Sequence, residues 1–157
     1  MRHPEELMAE AIELAVWNVR EGRGGPFAAI VVRNAMVIAR GTNEVVETHD
    51  PTAHAEIVAI REACRTLGSH QLDGCEIYAS CEPCPMCLGA IYWARPRCLF
   101  YAASKADAAE AGFDDAFIYE EAARPAGERR LPTRHVEVAQ ARLPFVEWKR
   151  SPRRVPY

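Results

Sequence analysis

The chain has 157 residues, the length of one ordinary domain, and its 49% apolar and 26% charged residues indicate a folded globular protein instead of a disordered one. Its net charge of −3 provides no overall attraction to phosphate backbones, which argues against a nucleic-acid partner. No apolar run approaches the roughly 20 residues of a membrane span, and the N-terminus lacks the apolar stretch of a signal peptide, so we expect no membrane partner.

The first half of the chain begins with a predicted helix from Glu5 to Glu21, followed by three closely spaced glycines that end it. Its core-facing stripe has helical spacing and consists of Leu7, Ala11, Leu14, Ala15 and Val19. Two apolar runs of strand length follow, Phe27–Val32 and Met36–Ala39, with Arg33–Ala35 as a hairpin turn. Thr42–His49 is expected to be a loop.

A second helix is predicted to start at Asp50, whose carboxylate can cap free N–H groups, and to end at Leu67. A third strand is expected at Glu76–Ser80, and Pro83 opens a helix that carries Cys84 and Cys87 on one face. The predicted elements of the second half are a strand at Cys98–Ala102, helices at Ser104–Glu110 and Asp115–Ala123, a strand at Val136–Val138 and helical turns at Phe145–Arg150.

The alternation of strands and helices, without an internal repeat or linker, predicts a single layered α/β domain over residues 1–157. Its mixed central sheet would begin with the antiparallel hairpin and continue with parallel strands. Ligands in such folds bind beyond the carboxyl ends of the strands, and Cys84 follows the carboxyl end of the third strand.

Two segments carry the residues of a catalytic zinc site, Thr52-Ala53-His54-Ala55-Glu56 and Pro83-Cys84-Pro85-Met86-Cys87. One imidazole and two thiolates, from His54, Cys84 and Cys87, would hold Zn²⁺ and leave a fourth position open for water. Glu56, two residues after the histidine, is placed to carry protons instead of binding the metal. The six cysteines, in a chain without an export signal, favour metal binding in a reducing cytoplasm over disulfides.

Other functions for these residues remain open at this stage. The Cys-x-x-Cys pair alone is also typical of a redox dithiol, although that leaves His54 and Glu56 without a role. A closed structural zinc site in a non-catalytic module would take Cys81 or His49 as fourth ligand, but a buried Glu56 is then costly. The remaining cysteines, Cys64, Cys75 and Cys98, are expected to be small buried apolar residues.

The two segments resemble the cytidine deaminase-like zinc superfamily, in the branch that holds tRNA adenosine deaminases and guanine deaminases. The stretches Ile91–Pro96, Tyr101–Ala103 and Asp107–Tyr119, together with the C-terminal Tyr157, are similar to bacterial guanine deaminases, and the similarity runs over essentially the whole chain. The resemblance implies a three-layer α/β/α fold and the hydrolysis of guanine to xanthine and ammonia. It also implies a homodimer in which a C-terminal segment of about residues 142–157 is exchanged.

The resemblance also assigns roles to individual residues. It implies that His54, Cys84 and Cys87 hold Zn²⁺ and that Glu56 carries protons between the attacking water and the base. Asn43 would hydrogen-bond the purine, and Asp115 would read the guanine edge. The other substrate-binding positions it implies are Phe27, Ala55, Trp93 and Tyr157, the last of which would close the partner's site.

Two further substrates are compatible with the same zinc site. A tRNA adenosine deaminase would need a basic surface, and Lys149, Arg150, Arg153 and Arg154 are concentrated near the C-terminus. These charges are also typical of a solvated or subunit-contact tail. Other free bases or aminotriazines that resemble guanine would fit the same chemistry.

Overall fold

The computed structural model describes residues 2–157, which divide into two compact units, residues 2–115 and Ala116–Tyr157. The first unit contains, in chain order, α1 (Pro4–Arg20), β1 (Ala28–Arg33), β2 (Met36–Thr42), α2 (Val45–Thr48), α3 (Ala55–Leu67), β3 (Cys75–Cys81), α4 (Pro85–Ala94), β4 (Cys98–Ala103) and α5 (Lys105–Glu110).

The four strands form one mixed sheet in the order β2-β1-β3-β4. β1 is antiparallel to both β2 and β3, whereas β3 and β4 are parallel. The hairpin between β1 and β2 turns at Asn34 and Ala35, which both have positive φ, as a two-residue turn with the twist of a hairpin requires. The predicted α/β class, with a mixed sheet that starts from a hairpin, is therefore confirmed.

Helices cover both faces of this sheet. Side chains along β1 point alternately to one face and the other, so successive residues of this strand pack against different helices. Ile30 and Val32 pack with Leu7 and Ala11 of α1 in one apolar cluster. On the opposite face, Val31 belongs to a second cluster with residues of α3 and α4, namely Ala55, Ala59, Ala63, Ile91 and Ala94. These layers confirm the three-layer architecture implied by the resemblance.

A close approach of backbones positions the start of α3 against the sheet. A Cβ atom added at Gly41 in β2 would overlap the carbonyl oxygen of Ala55 and the amide nitrogen of Ala59. Only glycine lets the two elements pack at this distance, since it lacks a Cβ. The first turn of α3, which carries Glu56, is thereby held close to the sheet.

Several predicted boundaries are wrong. α3 begins at Ala55 instead of Asp50, because the Asp50 carboxylate accepts hydrogen bonds from the amide and hydroxyl of Thr52 and forms a local turn instead. The predicted loop contains the short helix α2. On α1, the predicted stripe is confirmed at Leu7, Ala11 and Ala15, whereas Val19 is 48% exposed and Asn18, which was not part of the stripe, is fully buried.

The second unit contains α6 (Ala116–Ala123), two 3₁₀ turns (Ala126–Glu128 and Ala139–Arg142) and α7 (Leu143–Arg150). The predicted strand at Val136–Val138 is absent from this unit, all of whose residues are described, because the segment has no strand to pair with. None of its residues is buried, although many of them are large and apolar. Whether the whole chain acts as one deaminase domain stays a prediction.

None of the helices in residues 2–157 combines the length and the apolar character needed to cross a bilayer.

Candidate active site

Two helix N-termini bring the three candidate ligands together. His54 is the N-cap residue of α3, and Cys84 is the N-cap residue of α4, which follows β3 after a short connection. The backbone amide of Cys87 donates to the Cys84 sulfur at 3.4 Å, so this thiol caps its own helix. A helix N-terminus favours negative charge, and both helices therefore stabilise anionic ligands at this point.

The spacing of the ligand atoms fits a tetrahedral metal ion. Nδ1 of His54 lies 3.5 Å from the sulfur of Cys84 and 3.5 Å from that of Cys87. Zn–N bonds of about 2.0–2.1 Å and Zn–S bonds of about 2.3 Å at a tetrahedral angle place nitrogen and sulfur about 3.6 Å apart. The three residues therefore form a group that can hold a metal ion.

The two thiols of this group differ in their protonation. The hydrogen bond from the Cys87 thiol, together with the hydrogen bond and the charge of His54, lowers the pKa of the Cys84 thiol to about 4. The same pairing with Cys84, together with burial, raises the pKa of Cys87. One thiolate and one thiol thus share a proton, and a bound divalent cation would displace that proton, because a coordinating thiol is deprotonated.

Neither of the two alternative fourth ligands joins this group. Cys81, at the end of β3, hydrogen-bonds through its thiol to the Ser104 carbonyl oxygen at 3.6 Å. His49 is exposed at the end of α2. Neither residue belongs to the candidate metal group found in residues 2–157. The group therefore matches a three-ligand site with an open position better than a closed structural site or a redox dithiol.

Glu56 is buried beside this group, with 8% of its surface exposed. Burial raises the pKa of its carboxyl group, although hydrogen bonds from its own backbone amide and from the Cys87 thiol act in the opposite direction. A raised pKa brings a carboxyl group closer to the neutral range, where it can both accept and donate a proton. Glu56 has the position and the environment of a general acid–base.

A cavity of about 530 Å³ opens onto the group. This volume suits a ligand the size of a nucleobase or somewhat larger. His54, Glu56 and Cys84 lie in its wall together with Gly24, Gly25, Phe27, Ala28, Asn43, Val45, Val46, Ser80, Cys81, Glu82, Lys105, Ala108, Gly112, Phe113, Asp114 and Asp115. The wall therefore combines apolar surface with four carboxylates and a single lysine.

Three of the predicted substrate-binding residues line this cavity: Phe27, Asn43 and Asp115. Asn43 accepts a hydrogen bond from the Val45 amide through Oδ1 at 3.4 Å. Asp115 is half-buried, and burial followed by the charge of Cys84 raises the pKa of its carboxyl group. The electrostatic effect of Cys84 on Asp115 indicates that this carboxylate lies near the metal ligands.

Of the other three, the two that belong to the first unit, Ala55 and Trp93, do not line the cavity. Ala55 is fully buried between His54 and Glu56, and Trp93 is 64% exposed near the end of α4. Tyr157, 70% exposed, belongs to the second unit. Substrate contacts by these residues stay predictions.

The structure identifies two residues in or behind the cavity wall that the sequence pattern did not indicate. Phe113 packs edge-to-face against Phe27, with ring centroids 4.9 Å apart. Asn18, behind the wall, donates hydrogen bonds to the carbonyl oxygens of Gly25 and Asn43. Phe113 lies within the stretch Asp107–Tyr119 that carries the resemblance, but no pattern marks it as a wall residue, and Asn18 stands in no recognisable motif. The tertiary structure identifies both roles.

Residues 1–103 match the model of a family described as "Cytidine and deoxycytidylate deaminase zinc-binding region". The chain is 54% identical over 149 residues to the guanine deaminase of Bacillus subtilis (strain 168), covering 95% of each chain. The crystal structure of guanine deaminase from Bacillus subtilis superposes with a TM-score of 0.98 and 51% identity over 99% of both chains. A tRNA-specific adenosine deaminase of Agrobacterium fabrum is 47% identical over 89 residues, which cover 55% of this chain and 59% of that protein.

Proposed function

This chain belongs to the cytidine and deoxycytidylate deaminase family, and we propose that it hydrolyses guanine to xanthine and ammonia with a zinc ion held by His54, Cys84 and Cys87. The observation that carries the proposal is that Glu56 and Asp115 line one cavity beside these ligands. Similarity to a guanine deaminase over nearly the whole chain supports the same substrate. The test is the formation of xanthine and ammonia from guanine by the zinc-loaded protein.

Zinc, when bound, supplies the electrostatic field that lowers the pKa of water to roughly 7. Glu56 accepts a proton from the attacking water through a carboxylate oxygen and delivers it to a ring nitrogen next to C2 of guanine. It then takes the second proton of the water and delivers it to the departing amine. Water and guanine are thereby converted to xanthine and ammonia without any other reactant.

Asn43, Asp115 and Phe27 bind and orient the base in this proposal. The Asp115 carboxylate only accepts hydrogen bonds, and the N–H groups of guanine can satisfy it, whereas the pairing edge of adenine offers the opposite pattern. The Asn43 amide can both donate and accept. Phe27, packed on Phe113, supplies an aromatic wall of the cavity.

A tRNA substrate is less compatible with the charge of the site. Glu56, Glu82, Asp114 and Asp115 line the cavity, and Lys105 is the one lysine or arginine among the described residues that line it. Phosphate groups would be repelled by this wall, because binding to a nucleic-acid backbone depends on neutralisation by lysine and arginine. The similarity to a tRNA deaminase also covers only about half of the chain.

We expect Asp115→Asn to lower kcat/KM for guanine on the order of 10- to 100-fold, because a hydrogen bond to a charged group contributes about 1.5–3 kcal/mol. Steady-state kinetics with guanine measures the change. Asp114→Asn is the matched control, since Asp114 lines the same cavity one residue away and should have the smaller effect. A larger loss in Asp114→Asn would assign the recognition of the base to Asp114.

The C-terminal segment 142–157 completes the site of a second subunit in this proposal. The second unit buries none of its residues, and Leu143, Phe145 and Tyr157 each expose more than half of their surface, namely 52%, 69% and 70%. Apolar surface of this extent is typical of a subunit interface. The protein is therefore proposed to be a homodimer, located in the cytoplasm, where its six free cysteines would stay reduced.

Deletion of residues 153–157 should abolish most turnover and leave zinc bound, since the ligands lie in the first unit. The deleted chain can be mixed with a Glu56→Gln chain, which keeps its tail but lacks the proton carrier. If the tail serves the partner, the mixture should regain activity that neither variant has alone, because mixed dimers contain one complete site. Full activity of the deleted chain, or no recovery on mixing, would contradict the exchange.

A further inference from the structure

Asn18 lies in the last turn of α1, one layer behind the cavity wall, and is fully buried. Its side-chain nitrogen Nδ2 donates to the Gly25 carbonyl oxygen at 3.0 Å and to the Asn43 carbonyl oxygen at 3.1 Å. These two acceptors lie on separate segments, so one amide group joins both of them. Gly25 and Asn43 themselves line the cavity.

Backbone hydrogen bonds connect the two acceptor segments to each other and to the proposed base-binding residues. The Phe27 amide donates to the same Gly25 carbonyl oxygen at 2.9 Å, and the Asn43 amide donates to the Phe27 carbonyl oxygen at 3.1 Å. The next amide, that of Glu44, donates to the Ala53 carbonyl oxygen at 3.0 Å, directly before His54. The Asn43 segment is therefore held between Asn18 on one side and the start of the ligand helix on the other.

The backbone at Gly24 and the backbone at Asn43 are packed closely against each other. A Cβ atom added at Gly24 would overlap the Asn43 carbonyl oxygen and lie 3.3 Å from Nδ2 of Asn18. Only a residue without a side chain can therefore occupy position 24. The direction of the Asn43 side chain therefore depends on the hydrogen bonds from Asn18 that hold the Gly25 and Asn43 backbones together.

The other polar atom of the Asn18 side chain, Oδ1, indicates that the two hydrogen bonds donated by Nδ2 have a specific role. Oδ1 is buried and has no hydrogen-bond partner among residues 2–157. An unpaired buried acceptor is destabilising, and an apolar residue of similar size would avoid this cost. What an apolar residue cannot do is donate to two carbonyl oxygens at once.

We infer that Asn18 is a positioning residue that holds the Asn43 segment against the cavity and thereby sets the affinity for the purine base. The part that concerns the base rests on the proposed function. Asn18 touches no substrate and acts through Asn43. Its loss should therefore affect KM more than kcat, since the metal ligands and Glu56 stay in place.

Asn18→Leu, which has a similar volume and no donor, should raise KM for guanine about tenfold and change kcat less than about threefold, because one well-placed hydrogen bond to the base is lost. Leu7→Ala is the matched control: Leu7 is a buried residue of the same helix, and its substitution destabilises the protein without contacting either segment. KM should stay unchanged in that control. An equal rise of KM in both variants would show that Asn18 only stabilises the fold and does not position Asn43.

A double-mutant cycle with Asn43→Ala tests whether Asn18 acts through Asn43. In the Asn43→Ala background, Asn18→Leu should change kcat/KM less than about threefold, because the contact it positions is already absent. If the two effects instead multiply, or if Asn43→Ala alone has no effect, the inference is overturned. Asn18→Ser, which keeps one donor, should be intermediate and serves in place of the leucine variant if that variant does not fold.

Hydrogen exchange separates this inference from the proposed function, because it needs no substrate. The amides of Phe27, Asn43 and Glu44 should exchange at least about tenfold faster in Asn18→Leu, whereas the amide of Val31 in β1 should not change. Unchanged exchange at all of them overturns the inference even if guanine is a substrate. Faster exchange in a protein that does not deaminate guanine would retain Asn18 as the residue that holds the segment and reject the proposed function.

Discussion

Glu56→Gln should lower kcat for guanine by about a thousandfold and leave zinc bound, since general acid–base catalysis contributes roughly 10²–10⁴. Glutamine has nearly the same shape as glutamate, so it fills the buried position beside Cys87, but it cannot accept and release a proton. Glu56 is not one of the three residues whose ligand atoms converge, so the metal content should stay at one ion per chain. Ammonia release and elemental analysis measure the two quantities.

Glu62→Gln is the control for this variant, because Glu62 lies on the same helix with its side chain 45% exposed and paired with Arg65. This variant should keep the wild-type rate. A Glu56→Gln protein that retains most of its activity would remove Glu56 from the mechanism. A variant that loses its zinc would instead identify Glu56 as a determinant of metal binding.

Cys84→Ala should weaken zinc binding by about a thousandfold and abolish ammonia release. A zinc site of this kind contributes on the order of 10 kcal/mol of binding energy at neutral pH, so removing one of its ligands removes several kcal/mol. The substitution also removes the sulfur that accepts the Cys87 amide at the start of α4. Competition with a chromophoric chelator gives the affinity, and circular dichroism shows whether the fold is kept.

Cys64→Ala is the matched control, since Cys64 is a partly buried cysteine of α3 outside the metal group. Burial raises the pKa of its thiol, which makes it a weaker nucleophile and ligand. Zinc affinity and activity should be those of the unmodified chain. Stoichiometric zinc and full activity in Cys84→Ala would rule out the assignment of the three ligands.

The grouping of His54, Cys84 and Cys87 could be predicted from the sequence because each ligand belongs to a short local pattern. Cys84 and Cys87, three residues apart at a helix start, face the same side. Turn chemistry also made the hairpin at Asn34 predictable, and apolar runs located the four strands of the sheet. Local patterns of this kind survive in the folded structure because they do not depend on distant residues.

Long-range contacts that no short sequence pattern marks could not be predicted. Asn18 interrupts an apolar stripe and reads as a surface residue until Asn43, 25 positions later, is known to lie beside it. Phe113 becomes a wall of the cavity only because the chain after α5 returns to Phe27. The start of α3 is ambiguous for a related reason, since Asp50 can cap a helix or close a local turn, and the sequence does not distinguish the two.

Incubation of the zinc-loaded protein with guanine in ¹⁸O-labelled water tests the central claim most directly. Hydrolytic deamination should yield xanthine with one labelled oxygen, at C2, and one ammonia for each guanine consumed, detected by mass spectrometry and an ammonia assay. Adenine, cytosine, cytidine, guanosine, an aminotriazine and a tRNA, offered in parallel, should react more slowly than guanine. Unchanged guanine together with rapid deamination of adenosine in the tRNA would contradict the account.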